Sequence, residues 1–297
     1  MSTVSTPVSS ANSERKKVTT LALQAFKRRG EPFTMLTAYD YATALAEDQT
    51  GIHVILVGDS LGMVVLGYEN TLPVTMEEML HHCRAVRRGA RYALLVGDMP
   101  FMSYQVSVQE ALRNAGRFLQ EGGMDAVKLE GGGERAETVR AIVGAGIPVM
   151  GHLGLTPQSV NQLGGFKPQA RSAEAANRLV EDALCLQEAG CFSLVLESIP
   201  GRLAAHLSQM LEIPTIGIGA GAGCDGQVLV THDLLGLFDR FTPKFVKKYA
   251  DLHGEMKQAF TAFQKDVQEH IFPGGEHTVE MKEDEWEEFL RGVKGGR

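Results

Sequence analysis

The sequence predicts a parallel α/β barrel of about eight strands. Short apolar runs bounded by Gly and Pro alternate with helical segments along the chain, and no stretch has the composition of a linker. Acidic or polar residues end at least five of the predicted strands. A doubly wound sheet gathers its ligand-binding residues at one switch point, whereas a barrel brings every strand end to one rim. The spread of polar strand ends therefore favours a (β/α)8 barrel.

Four of the apolar runs end in a carboxylate, at Asp59, Asp98, Glu130 and Glu197. Buried parallel strands have nearly continuous apolar sequences, and each of these runs leads into a helical segment. Parallel strands place their last residues at the same edge of the sheet. We therefore expect the carboxylates to converge on one polar site.

The predicted elements alternate in order from residue 20. The strands are expected at residues 33–37, 55–59, 93–98, 125–130, 147–152, 193–197, 213–219 and around 241–246. The helices are expected at residues 21–28, 41–46, 76–88, 106–121, 134–145, 172–189 and 200–211. Thr75 is a suitable N-cap with two acids in the first turn, and Thr156-Pro157 has the chemistry of a helix start. The glycines and proline of residues 161–170 predict a loop.

We expect a disordered leader over residues 1–19, a single barrel domain over 20–272 and a C-terminal extension over 273–297 with a short amphipathic helix. A transit peptide is the alternative for the leader, because Glu14 is its only acid. Apolar residues recur at helical spacing in two tail segments, 256–271 and 286–293. The first segment is expected to pack on the barrel, and the second on its own barrel or on a neighbouring subunit.

Charge and composition exclude several classes of protein. The net charge of -7 argues against a nucleic-acid partner, which would favour a basic face. No apolar stretch reaches the roughly 18 residues that suggest a membrane span. The four cysteines have no metal-ligand spacing, which is typical of buried thiols in a reducing compartment. We therefore expect a cytoplasmic protein that binds neither nucleic acid nor membranes.

Three of the strand-end acids, Asp59, Asp98 and Glu130, predict a metal site. Two carboxylates about 4 Å apart repel by roughly 4 kcal/mol at an effective dielectric of about 20. Lys128 lies two residues before Glu130, so both side chains face the same way, but one ammonium offsets only one charge. A divalent ion with oxygen ligands, Mg²⁺ rather than Zn²⁺, balances the site better. The alternative is that Asp59 and Asp98 only cap the helices that follow them.

The sequence leaves more than one role possible for two further strand-end residues, Glu197 and His152. Glu197 is a candidate metal ligand, structural anion or general base, and a base would need a pKa raised toward neutrality by apolar or acidic neighbours. His152 either binds a substrate oxygen or is structural. The glycine motif at 221–226 formally matches a dinucleotide fingerprint, but it follows a late strand and lacks the acid such a site requires.

Several ordered motifs make the chain resemble the ketopantoate hydroxymethyltransferase family over about residues 20–277. The matching stretches are Leu36-Thr37-Ala38-Tyr39-Asp40, Leu56-Val57-Gly58-Asp59-Ser60-Leu61-Gly62-Met63, Thr71-Leu72-Pro73-Val74-Thr75, Asp98-Met99-Pro100-Phe101-Met102, Val127-Lys128-Leu129-Glu130-Gly131-Gly132, Gly151-His152-Leu153-Gly154-Leu155-Thr156-Pro157-Gln158 and Gly217-Ile218-Gly219-Ala220-Gly221. The leader and the segment after about residue 278 extend beyond the usual limits of the family.

The resemblance implies a barrel of the phosphoenolpyruvate/pyruvate type, often assembled as a homodecamer. It implies that 3-methyl-2-oxobutanoate receives a hydroxymethyl group from 5,10-methylenetetrahydrofolate in pantothenate biosynthesis. It further implies Mg²⁺ at Asp59, Asp98 and Glu130, keto-acid contacts from Asp59, Ser60, Asp98 and Lys128, and Glu197 as the proton acceptor. His152 is added as a substrate-binding residue from its strand-end position.

Three rival functions remain at this point. A lyase or mutase of the isocitrate lyase barrel class would use a Lys-Cys-Gly-His loop, which this sequence lacks. A Schiff-base aldolase would use Lys128 as its nucleophile. A non-catalytic protein that binds a metal or a keto acid would show no proton exchange at C3 of the keto acid.

Overall fold

The computed structural model describes residues 15–294, and the strands in this range form a closed parallel barrel. In chain order they are β1 (Phe33–Thr37), β2 (Val54–Val57), β3 (Leu94–Asp98), β4 (Ala126–Glu130), β5 (Val149–Gly154), β6 (Ser193–Glu197), β7 (Thr215–Ile218) and β8 (Gly226–Leu229). Each strand pairs with the next, and β8 returns to β1 with Phe33 opposite Gly226. The predicted (β/α)8 barrel is confirmed.

Helices alternate with the strands along the first unit of the chain, and two further helices follow in the tail. They are α1 (Thr20–Arg29), α2 (Tyr41–Thr50), α3 (Leu61–Val64), α4 (Met76–Gly89), α5 (Val108–Gln120), α6 (Ala136–Gly144), α7 (Val160–Leu163), α8 (Ala173–Glu188), α9 (Gly201–Met210), α10 (Thr231–Leu234), α11 (Leu252–Gln268) and α12 (Glu283–Lys294). The predicted start of α4 is confirmed, because Thr75 and Glu78 form a reciprocal capping box. The predicted loop over 161–170 is only partly observed, because residues 161–163 belong to α7. The C-cap of this helix is Gly164, which adopts the left-handed conformation.

The prediction for the eighth strand was wrong. We expected it around residues 241–246, but β8 is Gly226–Leu229 and directly follows the glycine motif. A strand rather than a helix follows that motif, which removes the geometry of a dinucleotide fingerprint. Residues 241–246 instead form a loop beside the carboxyl ends of the strands, where Phe241, Pro243 and Phe245 line a cavity.

The core has two layers, as expected when one face of each strand points into a barrel. One layer fills the barrel with side chains such as Met35, Val96, Met150 and Ile216, and Leu23 of α1 joins it. The other layer packs the outer faces of the strands against the helices and includes the completely buried Phe118. The filled interior leaves room for a site only near the strand ends.

Residues 1–14 of the predicted leader lie outside the described residues. Of the rest, Lys17 forms an ion pair of 2.7 Å with Asp125, and the Val18 amide donates to the carbonyl of Tyr92 at 2.7 Å. The chain divides into two compact units, residues 1–248 and 249–297. The predicted domain limits at 19 and 272 stay predictions.

The second unit contains the two tail helices that the apolar spacing predicted, α11 and α12. Within it, the ring of Phe272 contacts Phe263 and His277, and Trp286 stacks on Phe289. No helix within residues 15–294 combines the length and the apolar character that a membrane crossing requires.

Candidate active site

A cavity of about 470 Å³ opens at the carboxyl ends of the strands. It collects every residue that the sequence singled out for the site: Asp59, Ser60, Asp98, Lys128, Glu130, His152 and Glu197. These residues come from β3 to β6 and from the turn after β2. The expected convergence of strand-end residues is therefore observed, while their roles stay predictions.

The strand register explains why these side chains meet. Lys128 lies opposite Asp98, and Glu130 lies opposite His152. Lys128 and Glu130 are two residues apart in β4, so both point into the barrel. The expectation that they share a direction is confirmed, because both line the cavity.

Lys128 and Asp98 form a buried ion pair. The Nζ of Lys128 lies 2.7 Å from Asp98 Oδ1, and both side chains are at most 4% exposed. Burial alone would lower the pKa of Lys128, but Asp98, Glu130 and Asp59 together raise it above its ordinary value. Lys128 is therefore a fixed positive charge inside the cavity.

His152 lies between two carboxylates. Its Nδ1 is 3.3 Å from Glu130 Oε1, and its Nε2 is 3.2 Å from Glu197 Oε2. Burial and the Lys128 ammonium lower the pKa of His152, but hydrogen bonding to Glu130 and Glu197 outweighs both and raises this pKa to about 9. The imidazole therefore lies between the β4 acid and the β6 acid, and Lys128 Nζ is 3.3 Å from its Nδ1.

Ionisation of Asp59 and Asp98 is disfavoured in this cavity, whereas ionisation of Glu130 is favoured. Burial, followed by Asp98 and Glu130, raises the pKa of Asp59 well above its ordinary value, although Lys128 and Gln158 oppose this. Burial also raises the pKa of Asp98 despite the opposing charge of Lys128. By contrast, His152 and Lys128 outweigh the burial of Glu130 and lower its pKa. The cavity thus concentrates more negative charge than its buried cations balance.

The alternative in which Asp59 and Asp98 only cap helices is not supported. The N-cap of α5 is Ser107, which accepts from the amide of Glu110, and the N-cap of α3 is Ser60, which makes no side-chain cap bond. Asp98 Oδ2 instead accepts from the Asp59 amide at 3.3 Å. Ser60 Oγ pairs with the buried Tyr39 hydroxyl at 2.9 Å, which fixes it at the cavity wall.

Sequence reasoning missed Gln158, which donates hydrogen bonds to two of these acids. Its amide nitrogen donates to Glu130 Oε2 at 3.0 Å, and its Nε2 donates to Asp59 Oδ2 at 2.9 Å and to the Met99 carbonyl at 3.0 Å. The Tyr104 hydroxyl donates to Gln158 Oε1 at 2.7 Å. Gln158 belongs to a quoted motif after β5, and that position next to a strand end was the only signal available.

The donor chemistry of this end of the cavity fits Mg²⁺. All three candidate ligands are carboxylates. Asp98 Oδ1 and Glu130 Oε1 make no hydrogen bond of good geometry, although Lys128 Nζ lies 2.7 Å from the first and His152 Nδ1 lies 3.3 Å from the second. Mg²⁺ is commonly held by one or two carboxylates, with water and substrate completing its shell. Within residues 15–294, however, no three His, Cys, Asp or Glu side chains are arranged as a ready-made ligand set. The three-ligand metal site therefore stays a prediction.

Comparison with known sequences identifies close relatives. A family model described as ketopantoate hydroxymethyltransferase matches residues 17–275. The 3-methyl-2-oxobutanoate hydroxymethyltransferase of Syntrophus aciditrophicus is 60% identical over 269 residues, which is 91% of this chain and 99% of that protein. The protein of the same name from Syntrophobacter fumaroxidans is 63% identical over 248 residues, covering 84% and 88% of the two chains.

Solved structures show the same fold at low identity. Phosphonopyruvate hydrolase superposes with a TM-score of 0.59 and 13% identity, covering 94% of this chain and 99% of that one. A 2,3-dimethylmalate lyase, described as a PEP mutase/isocitrate lyase superfamily member, has a TM-score of 0.55 and 14% identity and covers 93% and 99%. The predicted barrel type is confirmed at the level of fold.

Proposed function

This chain belongs to the ketopantoate hydroxymethyltransferase family, and from that premise we propose how its cavity carries out the reaction. The enzyme adds a hydroxymethyl group to 3-methyl-2-oxobutanoate and forms ketopantoate, and 5,10-methylenetetrahydrofolate is the proposed one-carbon donor. The observation that carries the proposal is the placement of Lys128, His152 and Glu197 beside three further carboxylates at one end of a single cavity.

Asp59, Asp98 and Glu130 are the proposed ligands of Mg²⁺. When bound, the ion supplies Lewis-acid polarisation of the carboxylate and keto oxygens of the substrate. Burial is the main cause that raises the pKa values of Asp59 and Asp98, so their ionised forms are costly here, and a cation bound between them would offset that cost.

Lys128 is the proposed partner of the oxygen that becomes negative when the keto acid loses its C3 proton. A buried ammonium stabilises such an oxyanion because little water screens its charge. Ser60, held by Tyr39, adds a hydroxyl at the same wall. The Schiff-base alternative needs Lys128 as a neutral amine, and the acids around it oppose deprotonation by raising its pKa.

Glu197 is the proposed base. Its side chain is 15% exposed, more than the 2–4% of Asp98, Lys128 and Glu130, so it faces the open part of the cavity. It accepts the proton from C3, and His152 holds its carboxylate in place from the strand next to it. The C3 electron pair then forms the bond to the methylene carbon of the donor as the bond from that carbon to N10 breaks, and the proton taken from C3 passes to N10. Water displaces N5 from the same carbon and becomes the hydroxyl group, its second proton passes to N5, and tetrahydrofolate leaves.

A homo-oligomer, a decamer by resemblance, and a cytoplasmic location complete the proposal. The described residues include no helix suited to a membrane span, which is consistent with that location. Light scattering on the purified protein gives the number of subunits directly. A monomer in solution would remove the decamer from the proposal.

The decisive experiment follows the C3 proton of 3-methyl-2-oxobutanoate by NMR in deuterated buffer, without any folate. Exchange is expected with Mg²⁺ and should stop when EDTA is added. No exchange with Mg²⁺ would indicate a non-catalytic binding protein. Borohydride trapping that labels Lys128, together with activity that survives EDTA, would instead identify a Schiff-base aldolase.

A further inference from the structure

A chain of hydrogen bonds connects the main chain of β4 to the acid after β2. The Glu130 amide donates to the Tyr104 hydroxyl at 3.1 Å, and this hydroxyl donates to Gln158 Oε1 at 2.7 Å. Gln158 Nε2 then donates to Asp59 Oδ2 at 2.9 Å. Tyr104 is only 2% exposed and does not belong to the cavity lining, so any effect it has on the site passes through its neighbours.

The direction of this chain is fixed at its start. A main-chain amide can only donate, so the oxygen of Tyr104 must act as the acceptor toward Glu130. The single proton of the hydroxyl is then left for the carbonyl oxygen of Gln158. Tyr104 is therefore a donor to Gln158 and cannot exchange that role with it.

The amide group of Gln158 is held in one of its two possible orientations. Its nitrogen faces two acceptors, Asp59 Oδ2 and the Met99 carbonyl. Its oxygen faces two donors, the Tyr104 hydroxyl at 2.7 Å and Gln105 Nε2 at 3.3 Å. Reversing the amide would place its oxygen against both acceptors, which is costly in a residue that is 5% exposed. Tyr104 is the closer of the two donors that prevent this reversal.

The orientation of Gln158 determines which carboxylate oxygens are occupied. Its side chain uses Oδ2 of Asp59, and its main-chain amide uses Oε2 of Glu130. The second oxygen of each acid takes no part in these bonds. Glu130 Oε1 is in addition buried without a hydrogen bond of good geometry, which is an independent indication that this atom has room for another partner.

Tyr104 itself is fixed from the outer side of the barrel. In the turn before it, the amide and the hydroxyl of Ser103 donate to the Pro100 carbonyl at 3.1 and 2.7 Å. Asn114 Nδ2 of α5 donates to the Ser103 carbonyl at 2.7 Å. The guanidinium of Arg135 lies 5.8 Å from the centre of the Tyr104 ring. The hydroxyl is therefore presented to Gln158 by a tyrosine whose main chain and ring both have partners.

We propose that Tyr104 is a positioning residue for the candidate metal site. Its hydroxyl fixes Gln158 with the N–H group toward Asp59, and this leaves Asp59 Oδ1 and Glu130 Oε1 as the oxygens open to the cation. Tyr104 acts on the affinity for the cation and does not contact the keto acid. The inference rests on the proposed function, since it takes these two acids as ligands of Mg²⁺.

Tyr104→Phe tests the proposal because phenylalanine keeps the buried ring and removes only the hydroxyl. Mg²⁺ is titrated by calorimetry into the full-length protein with keto acid present, and the Kd for Mg²⁺ should rise about tenfold. Tyr68→Phe is the matched control, since the Tyr68 hydroxyl also donates at 2.7 Å, to Glu78 Oε1, but Tyr68 does not line the cavity. A wild-type Kd in Tyr104→Phe would overturn the proposal.

A double-mutant cycle shows whether Tyr104 acts through Gln158. Once Gln158→Ala has removed the side-chain amide, adding Tyr104→Phe should change the Kd for Mg²⁺ little further. Such non-additivity is the result expected of two residues in one hydrogen-bond chain. Losses that multiply in the double variant would show that Tyr104 affects the site independently, and would overturn the assignment.

Exchange of the C3 proton without folate separates positioning from general damage to the cavity. In Tyr104→Phe, saturating Mg²⁺ should restore the rate close to that of the wild type, because the hydroxyl affects only the binding of the ion. A loss that excess Mg²⁺ does not restore would overturn the positioning role. A wild type that binds no Mg²⁺ would contradict the proposed function itself, whereas normal wild-type binding with an unchanged variant would overturn only the inference about Tyr104.

Discussion

Gln158 Nε2 donates a hydrogen bond of 2.9 Å to Asp59 Oδ2 and joins two residues that lie 99 positions apart in the chain. The main chain of Gln158 binds Glu130 at the same time. One residue after β5 therefore holds the β2 acid and the β4 acid, the outer two of the three candidate metal ligands. Loss of such supporting bonds typically costs 10- to 100-fold in metal affinity or activity.

Gln158→Ala should weaken Mg²⁺ binding and lower kcat/KM by about 10- to 100-fold each, because Asp59 loses its orienting donor. Calorimetric titration of Mg²⁺ in the presence of keto acid measures the first quantity. Gln169→Ala is the control, because Gln169 also lies between β5 and α8 but its side chain donates to the Lys167 carbonyl. Equal losses in both variants would show a general effect of this connection instead of a role for Gln158.

Asp98→Ala should abolish Mg²⁺-dependent binding of the keto acid, since Asp98 is a proposed ligand. It should also lower the free energy of unfolding by about 3 kcal/mol, because Lys128 loses the nearest partner of a buried ion pair. Urea unfolding measures the second effect, and Asp98→Asn keeps the side-chain volume should the alanine variant misfold. Unchanged keto-acid binding in a folded variant would remove Asp98 from the ligand set.

Glu197→Gln should still bind the keto acid but lose C3 exchange by about 10²- to 10⁴-fold, the usual contribution of a general base. Glutamine keeps the size of the side chain and can still lie beside His152. NMR exchange and calorimetry on the same preparation separate chemistry from binding. Normal exchange would make Glu197 structural.

Glu47 predicts how stability depends on pH. This α2 side chain accepts from Thr231 Oγ1 at 2.8 Å, and burial raises its pKa from 4.5 to about 8 against the opposing effect of that bond. Between these pH values the unfolded chain has lost the proton while the folded chain keeps it. Stability contributed by neutral Glu47 is therefore complete below pH 4.5 and decreases as the pH rises to about 8.

Glu47→Gln should remove this decrease, which amounts to at most about 1.4 kcal/mol per pH unit within the window. Urea unfolding at several pH values between 5 and 8.5 measures the slope for both proteins. Glu137→Gln, at an exposed position on α6, should keep the wild-type slope. A slope that persists in Glu47→Gln would assign the pH dependence to other groups.

Much of the site was predictable because it follows local rules. Lys128 and Glu130 share a direction since side chains alternate along a strand, and Thr75 caps α4 through a bond only three residues long. Seven of the strands were expected near their observed positions because their apolar runs are uninterrupted. β8 was missed because it is only four residues long and begins with Gly226 directly after a glycine-rich turn.

The sequence by itself determined the alternation of strands and helices. It thereby also determined that the acids lie at the end of the barrel formed by the carboxyl ends of the strands. Only the tertiary structure decided that Gln158 joins Asp59 to Glu130, that His152 lies between Glu130 and Glu197, and that Phe245 packs on Gly219. Strand direction and side-chain alternation depend on neighbouring residues. Contacts between distant loops depend on how the closed barrel positions their ends, which no local pattern records.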